Sequence, residues 1–217
     1  ILNFPGGNTG VQMGGWFRKE INSLADLQGL KMRIPGLGGR VMDRLGVTVQ
    51  LLAGGEIYQA LERGTIDAAE WVGPYDDEKL GFYQIAPNYY FPGWWEPGLS
   101  SVLQVSQAAY DQLPEAYQEL LATACTWSVT DMMARYDTEN PKALRRLVED
   151  HGVTLRSFSD EILSAAWRES NAYLEEQAAA DATFRRVYES WNAYRMEAFP
   201  YFAGNEQRYA QFAFNQR

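Results

Sequence analysis

Three glycines, at positions 29, 46 and 64, each close a short amphipathic segment, and the stretches between them constrain the fold more than anything else in the chain. Residues 23–28 read as a short capped helix stopped by Gly29. Residues 30–34 read as a strand, and 39–45 as a helix stopped by Gly46. The pattern repeats with a strand over 47–52, a helix over 56–63 ending at Gly64, and a strand over 66–72 that runs into Gly73-Pro74. Strands separated by helices predict a mostly parallel sheet with covered faces, and such sheets bind ligands at the carboxyl ends of their strands. Arg33 and Glu70-Trp71 fall at two of these ends.

The middle of the chain changes character. Asn88-Tyr89-Tyr90-Phe91-Pro92-Gly93-Trp94-Trp95-Glu96-Pro97-Gly98 sets five aromatics and one acid among prolines, which predicts a stiff loop or edge strand rather than a helix. A core strand followed by a turn and a pocket mouth with apolar walls both fit these residues. Beyond a strand over 101–106 the sequence turns largely helical: 108–113, then 114–150 with a break at Asn140-Pro141, a short strand over 153–158, and a further helix opened by Ser159-Asp160-Glu161. A last helix over 181–199 carries Phe184, Tyr188, Trp191, Tyr194 and Phe199 at spacings that mostly follow one face, and Pro200 is expected to kink or end it. That stripe needs a cover, either the same chain or a partner subunit.

A chain of 217 residues with 46% hydrophobic and 14% aromatic content is ample for a packed core. No apolar run approaches the roughly 18 residues of a membrane span, and the first residues lack the basic start and apolar stretch of a signal peptide. The formal charge of -9 without a basic cluster argues against nucleic acid and anionic membrane as partners, since both need concentrated Lys and Arg. The single Cys125 excludes an internal disulfide and reads as a buried helical thiol. The single His151, where a helix stops, reads as a cap. With one of each, most triads and histidine-based zinc sites are excluded by count.

An acidic protein that binds an acidic ligand must supply positive charge locally, and Arg33 or a bound cation can do so. Arg33 ends a short apolar strand just before Pro35-Gly36-Leu37-Gly38-Gly39. Its planar guanidinium suits bidentate capture of a small carboxylate, and equally suits pairing with a nearby acid. Glu70 and Glu96 fit two chemistries, the acid–base pair of a glycosidase-like hydrolase and an oxygen-only site for a hard cation. The loop over 36–39 fails the dinucleotide fingerprint because Val41 stands where its last glycine belongs, and there is no phosphate-binding loop or nucleophile elbow.

Four motifs taken in order resemble one family: Asn8-Thr9-Gly10-Val11-Gln12-Met13-Gly14-Gly15-Trp16, Lys31-Met32-Arg33-Ile34-Pro35-Gly36-Leu37-Gly38-Gly39, Ile66-Asp67-Ala68-Ala69-Glu70-Trp71-Val72-Gly73-Pro74, and Tyr90-Phe91-Pro92-Gly93-Trp94-Trp95-Glu96-Pro97-Gly98. Together they resemble the solute-binding (DctP) subunit of tripartite ATP-independent periplasmic (TRAP) transporters, in the branch that binds α-keto and α-hydroxy acids. The resemblance implies a two-lobed α/β periplasmic-binding-protein fold, a non-enzymatic role and a periplasmic location. It also implies delivery of a small 2-oxo or 2-hydroxy carboxylate to a sodium-driven membrane permease. It further implies that Arg33 takes the substrate carboxylate and that a sodium or calcium ion bridges protein and substrate, held by Gln12, Glu70, the Trp71 carbonyl and Glu96. In the family the N-terminal lobe precedes the matched region, so the chain is expected to correspond to the C-terminal part. On that reading 1–72 form the α/β unit of the second lobe, 73–106 an interlobe crossing with a returning segment, and 107–217 a mainly helical remainder whose long C-terminal helix suits a homodimer.

Overall fold

The computed structural model describes residues 1–96 and 98–216. The chain divides into two compact units, 1–166 and 167–217, with the division falling inside one helix, α6 (Asp160–Ala180).

The first unit is built on a six-stranded mixed sheet. Its strands are β2 (Gly15–Phe17), β3 (Lys31–Arg33), β4 (Thr48–Gln50), β5 (Ala68–Ala69), β6 (Asn88–Phe91) and β8 (Thr154–Ser157), in the order β4-β3-β5-β2-β6-β8. The β3–β4, β3–β5 and β6–β8 pairs are parallel, as the helix–strand alternation predicts. β2 is the exception: it lies antiparallel between β5 and β6. Its three residues are fully buried, and a strand that short shows no alternation to read. β1 (Leu2–Asn8) and β7 (Ser100–Val105) pair antiparallel as a separate two-stranded sheet, and β1 is likewise absent from the sequence reading.

Helices α1 (Gly36–Arg44) and α2 (Gly54–Glu62) connect the parallel strands, and Gly29, Gly46 and Gly64 adopt the left-handed conformation at the stops expected of them. α3 (Pro74–Leu80) follows β5 directly, with Pro at its first position, acids in its first turn and the left-handed Gly81 at its end. Phe17, Met32, Ile34, Met42, Tyr90 and Phe158 pack one core cluster, and Trp16, Ile57, Leu61, Phe82, Tyr89 and Leu147 another.

Two expectations change in this unit. Residues 88–91 form an inner strand with Tyr89 and Tyr90 buried, not an edge, and the aromatic loop begins only after Phe91; Pro97 lies outside the described residues. After the short α4 (Gln107–Tyr110), α5 (Glu115–Glu149) runs unbroken through Pro141. Contacts on both sides of the proline hold α5 to α3: Tyr136 Oη to Asp76 at 2.5 Å, the Tyr75 N–H to Asn140 at 3.0 Å, and Arg146 to Glu78 through two bonds of 2.8 and 2.5 Å. Tertiary anchoring of both halves outweighs the lost helical hydrogen bond. Cys125 is a buried thiol on this helix, and the His151 ring beyond its end stacks on Tyr83 at 4.4 Å.

In the second unit α7 (Ala182–Phe202) passes through Pro200 instead of ending there, then widens into a π-turn at Ala203–Gln207 before α8 (Arg208–Phe214). Arg195 lies over the rings of Trp191, Trp167 and Phe199 at 4.8, 5.4 and 5.5 Å. Trp191 and Tyr194 remain 46% and 66% exposed. Among the described residues no helix is long and apolar enough to cross a membrane.

Candidate functional site at the strand ends

Strand direction assembles the site. Arg33 ends β3 and Glu70 follows β5, so both lie at the carboxyl ends of parallel neighbours, and the Glu70 N–H extends the ladder to the Arg33 carbonyl at 3.0 Å. Because β2 runs the other way, its amino end meets that same edge and brings Gln12 with it. β6, antiparallel to β2, delivers the loop over 92–96 to the same place. Backbone bonds fix the approach: Gly93 N–H to the Gln12 carbonyl at 3.1 Å, Met13 N–H to the Val72 carbonyl at 3.1 Å, and Gly14 N–H to the Tyr90 carbonyl at 2.7 Å. A Cβ on Gly93 would sit 2.7 Å from the Met13 carbonyl oxygen and 2.8 Å from that of Gln12, so only glycine allows this contact.

Arg33 is paired as well as placed. Its Nη1 donates to the Glu70 carbonyl at 2.8 Å and to Glu70 Oε2 at 3.2 Å, and its Nε to the Leu52 carbonyl at 3.3 Å. Its Nη2 makes no hydrogen bond to another described residue. The guanidinium also lies 5.1 Å from the centre of the Trp71 ring. The sequence offered Trp71 only as a carbonyl donor; its indole wall over Arg33 is new, and Gly54 makes room for it, since a Cβ there would lie 2.7 Å from the ring.

The side chains of Arg33 and Glu70 are 12% and 5% exposed. Burial pushes the Glu70 carboxyl up to about 8, against the opposing pull of Arg33, and the charges of Asp77 and Glu96 push the same way. Burial also raises Glu96 and lowers Arg33. Gln12 is 6% exposed and its Oε1 has no hydrogen-bond partner among the described residues. A buried amide oxygen left unpaired is costly, and here it shares a sheet edge with two carboxyls whose ionised forms are disfavoured. Among the described residues no three His, Cys, Asp or Glu side chains gather as a metal cluster. The donors on offer are instead two carboxylates, one amide oxygen and one peptide carbonyl, a set that fits a hard cation and not a soft one.

Residues 1–181 match the model of a family described as bacterial extracellular solute-binding protein, family 7. The chain belongs to this family. A relative from Nostoc sp. described as a monocarboxylate 2-oxoacid-binding periplasmic protein is 54% identical over 98% of this chain and 58% of its own length. A TRAP transporter solute-binding protein of Bordetella bronchiseptica is similar at 45% identity and TM-score 0.95, over 99% of this chain and 64% of that one. Its structure is described as a mixed-occupancy dimer with copurified calcium and picolinate in the active site against an apo site. Another, from Pseudoalteromonas atlantica, holds sodium and pyruvate (43% identity, TM-score 0.91, 97% of this chain and 64% of that one). A third, from Colwellia psychrerythraea, holds calcium and pyruvate (43% identity, TM-score 0.92, 96% and 64%). The chain thus spans 58% to 64% of the length of these relatives. The family is one of binding proteins, so the hydrolase reading of Glu70 and Glu96 finds no support in it.

Proposed function

We propose that this chain carries the strand-end site of a periplasmic TRAP solute-binding protein. The site takes a small 2-oxo or 2-hydroxy carboxylate of pyruvate size together with a sodium or calcium ion. One observation carries the reading: the buried, unpartnered Gln12 Oε1 shares one sheet edge with Glu70, Glu96 and Arg33. Gln12, Glu70, the Trp71 carbonyl and Glu96 would hold the cation, which would supply positive charge for the oxygens of the organic acid. Arg33, through Nη2, would meet the acid's carboxylate, with the Trp71 ring as an apolar wall. The relatives that hold pyruvate or picolinate beside sodium or calcium support this choice of ligand class.

In the same reading 1–72 form the binding part of the second lobe, 73–106 the crossing and 107–217 the helical remainder. The loaded protein delivers its acid to a sodium-driven permease. Subunits pair through the C-terminal helix at Tyr188, Trp191 and Tyr194; the exposed Trp191 and Tyr194 rings ask for a cover. The test is calorimetry of pyruvate with the intact protein, stripped of metal and then with calcium added. Tight binding that depends on calcium is expected, and pyruvate affinity indifferent to metal, or consumption of the pyruvate, would overturn the reading.

A further inference from the structure

Asp77 lies one turn into α3, is 1% exposed, and accepts four hydrogen bonds. Oδ1 takes the Val72 N–H at 3.2 Å and the Gly73 N–H at 3.1 Å; Oδ2 takes Trp16 Nε1 at 2.9 Å and the Tyr89 hydroxyl at 2.8 Å. All the acceptor positions of a carboxylate are thereby used, by donors from three different segments. Trp16 and Tyr89 stack at 3.9 Å, so the Oδ2 side is anchored in packed core.

The Oδ1 side bears on the site. The Trp71 carbonyl and the Val72 N–H are the two ends of one planar trans peptide and point in opposite directions. Holding that N–H on Asp77 therefore turns the Trp71 carbonyl away from the carboxylate and fixes its direction. The next peptide is pinned at both ends, with the Gly73 N–H on Asp77 and the Val72 carbonyl on the Met13 N–H at 3.1 Å. Met13 is the neighbour of Gln12, so one buried carboxylate sets both the aim of the Trp71 carbonyl and its spacing from Gln12. A negative group bonded to a peptide N–H also polarises the carbonyl at the other end of the plane and makes it a better donor to a cation.

We propose that Asp77 is a positioning residue of the cation site, orienting and polarising the Trp71 carbonyl through the Val72 peptide. This rests on the proposed role of that carbonyl. Partners of this kind change metal affinity by about 10- to 100-fold when lost. The Trp-Val pair occurs once in the 217 residues, so carbonyl-13C tryptophan with 15N valine marks one peptide among them, and loss of its signal in Val72→Ile assigns it.

The experiment titrates calcium alone into the intact protein and follows both affinity and that peptide signal in wild type, Asp77→Asn and Tyr89→Phe. The expected result is a carbonyl shift on calcium addition in wild type and in Tyr89→Phe, with calcium affinity within about threefold of each other. Asp77→Asn should bind calcium about 10- to 100-fold more weakly and lose the shift. Equal losses in Asp77→Asn and Tyr89→Phe would make Asp77 a purely structural residue and overturn the inference, as would unchanged affinity in Asp77→Asn. If Asp77→Asn does not fold, the wild-type signal still decides, because a Trp71 carbonyl that does not move while calcium binds overturns it. A wild-type protein that binds neither calcium nor sodium would instead remove the functional reading beneath it.

Discussion

Glu70 lies 3.2 Å from Arg33 across the ends of two neighbouring parallel strands, yet burial pushes its carboxyl up to about 8. Near neutral pH the pair therefore leans toward a charged guanidinium beside a protonated acid. That is a locally positive site in a chain of formal charge -9. On the proposed reading, a carboxylate ligand would be attracted to Arg33, and a cation would restore the ionised form of Glu70.

Replacing Arg33 with lysine keeps the charge and removes the fork. The ammonium cannot reach the Leu52 and Glu70 carbonyls and a ligand together. Hydrogen bonds to charged groups contribute roughly 1.5–3 kcal/mol, so Arg33→Lys should weaken pyruvate binding by about 10- to 100-fold in calorimetry at saturating calcium. Wild-type affinity would remove Arg33 from the ligand site.

Gln12→Leu fills the same space without the orphaned oxygen. The metal-free protein should gain stability or hold it, because a buried unsatisfied acceptor disappears. Calcium and pyruvate should both bind more weakly, and by the same coupling factor whichever is added first. Loss of one affinity without the other would show that the two ligands do not meet at Gln12.

The pH dependence of the metal-free protein follows from two raised carboxyls. Asp77 rises from 3.8 to about 6 and Glu70 from 4.5 to about 8, both through burial. Folded-state values above the unfolded ones mean that the folded protein binds these protons more tightly. The stabilisation is complete below the unfolded values and is lost as pH climbs through the folded ones. Urea unfolding of metal-free protein should thus show stability falling between about pH 4 and pH 8, with Glu70→Gln flattening the upper part of the fall. Calcium affinity should rise over the same range, with proton release on binding. Stability that climbs from pH 5 to 8 without metal would contradict the burial of both groups.

Gly93→Ala drives a methyl into the Gln12 and Met13 carbonyl oxygens, which are backbone and cannot swing aside. The expected cost is about 1–3 kcal/mol in unfolding, together with weaker calcium binding as Gln12 is displaced. An alanine variant with unchanged melting temperature and affinity would show that the loop is free to shift.

The aromatic face of α7 gives the last expectation. The intact protein should run as a dimer in light scattering, and a Trp191→Glu, Tyr194→Glu double variant as a monomer whose pyruvate affinity is kept. Both residues are exposed and far in sequence from the strand-end site. A wild-type monomer at high micromolar concentration would end the dimer proposal and leave the binding site untouched.

By itself the sequence determined the strand–helix alternation, the glycine stops and the placement of Arg33 and Glu70 at strand ends. Each of these depends on a few neighbouring residues: a left-handed glycine, a capping residue, an apolar run just before a loop. It also limited the site to oxygen donors, because only one His and one Cys exist. Tertiary structure alone decided that β2 runs antiparallel between β5 and β6, which carries Gln12 and the loop after Pro92 to the edge where Arg33 and Glu70 end. Three buried residues hold no periodicity that would reveal such a strand. Asp77 was legible as part of a helix start, from Gly73-Pro74 and the acids after it, but not as a four-donor acceptor, since Trp16 and Tyr89 reach it from 61 and 12 residues away. Pro141 shows the same limit. Local chemistry predicts a break, and contacts with α3, more than 50 residues earlier in the chain, keep the helix whole.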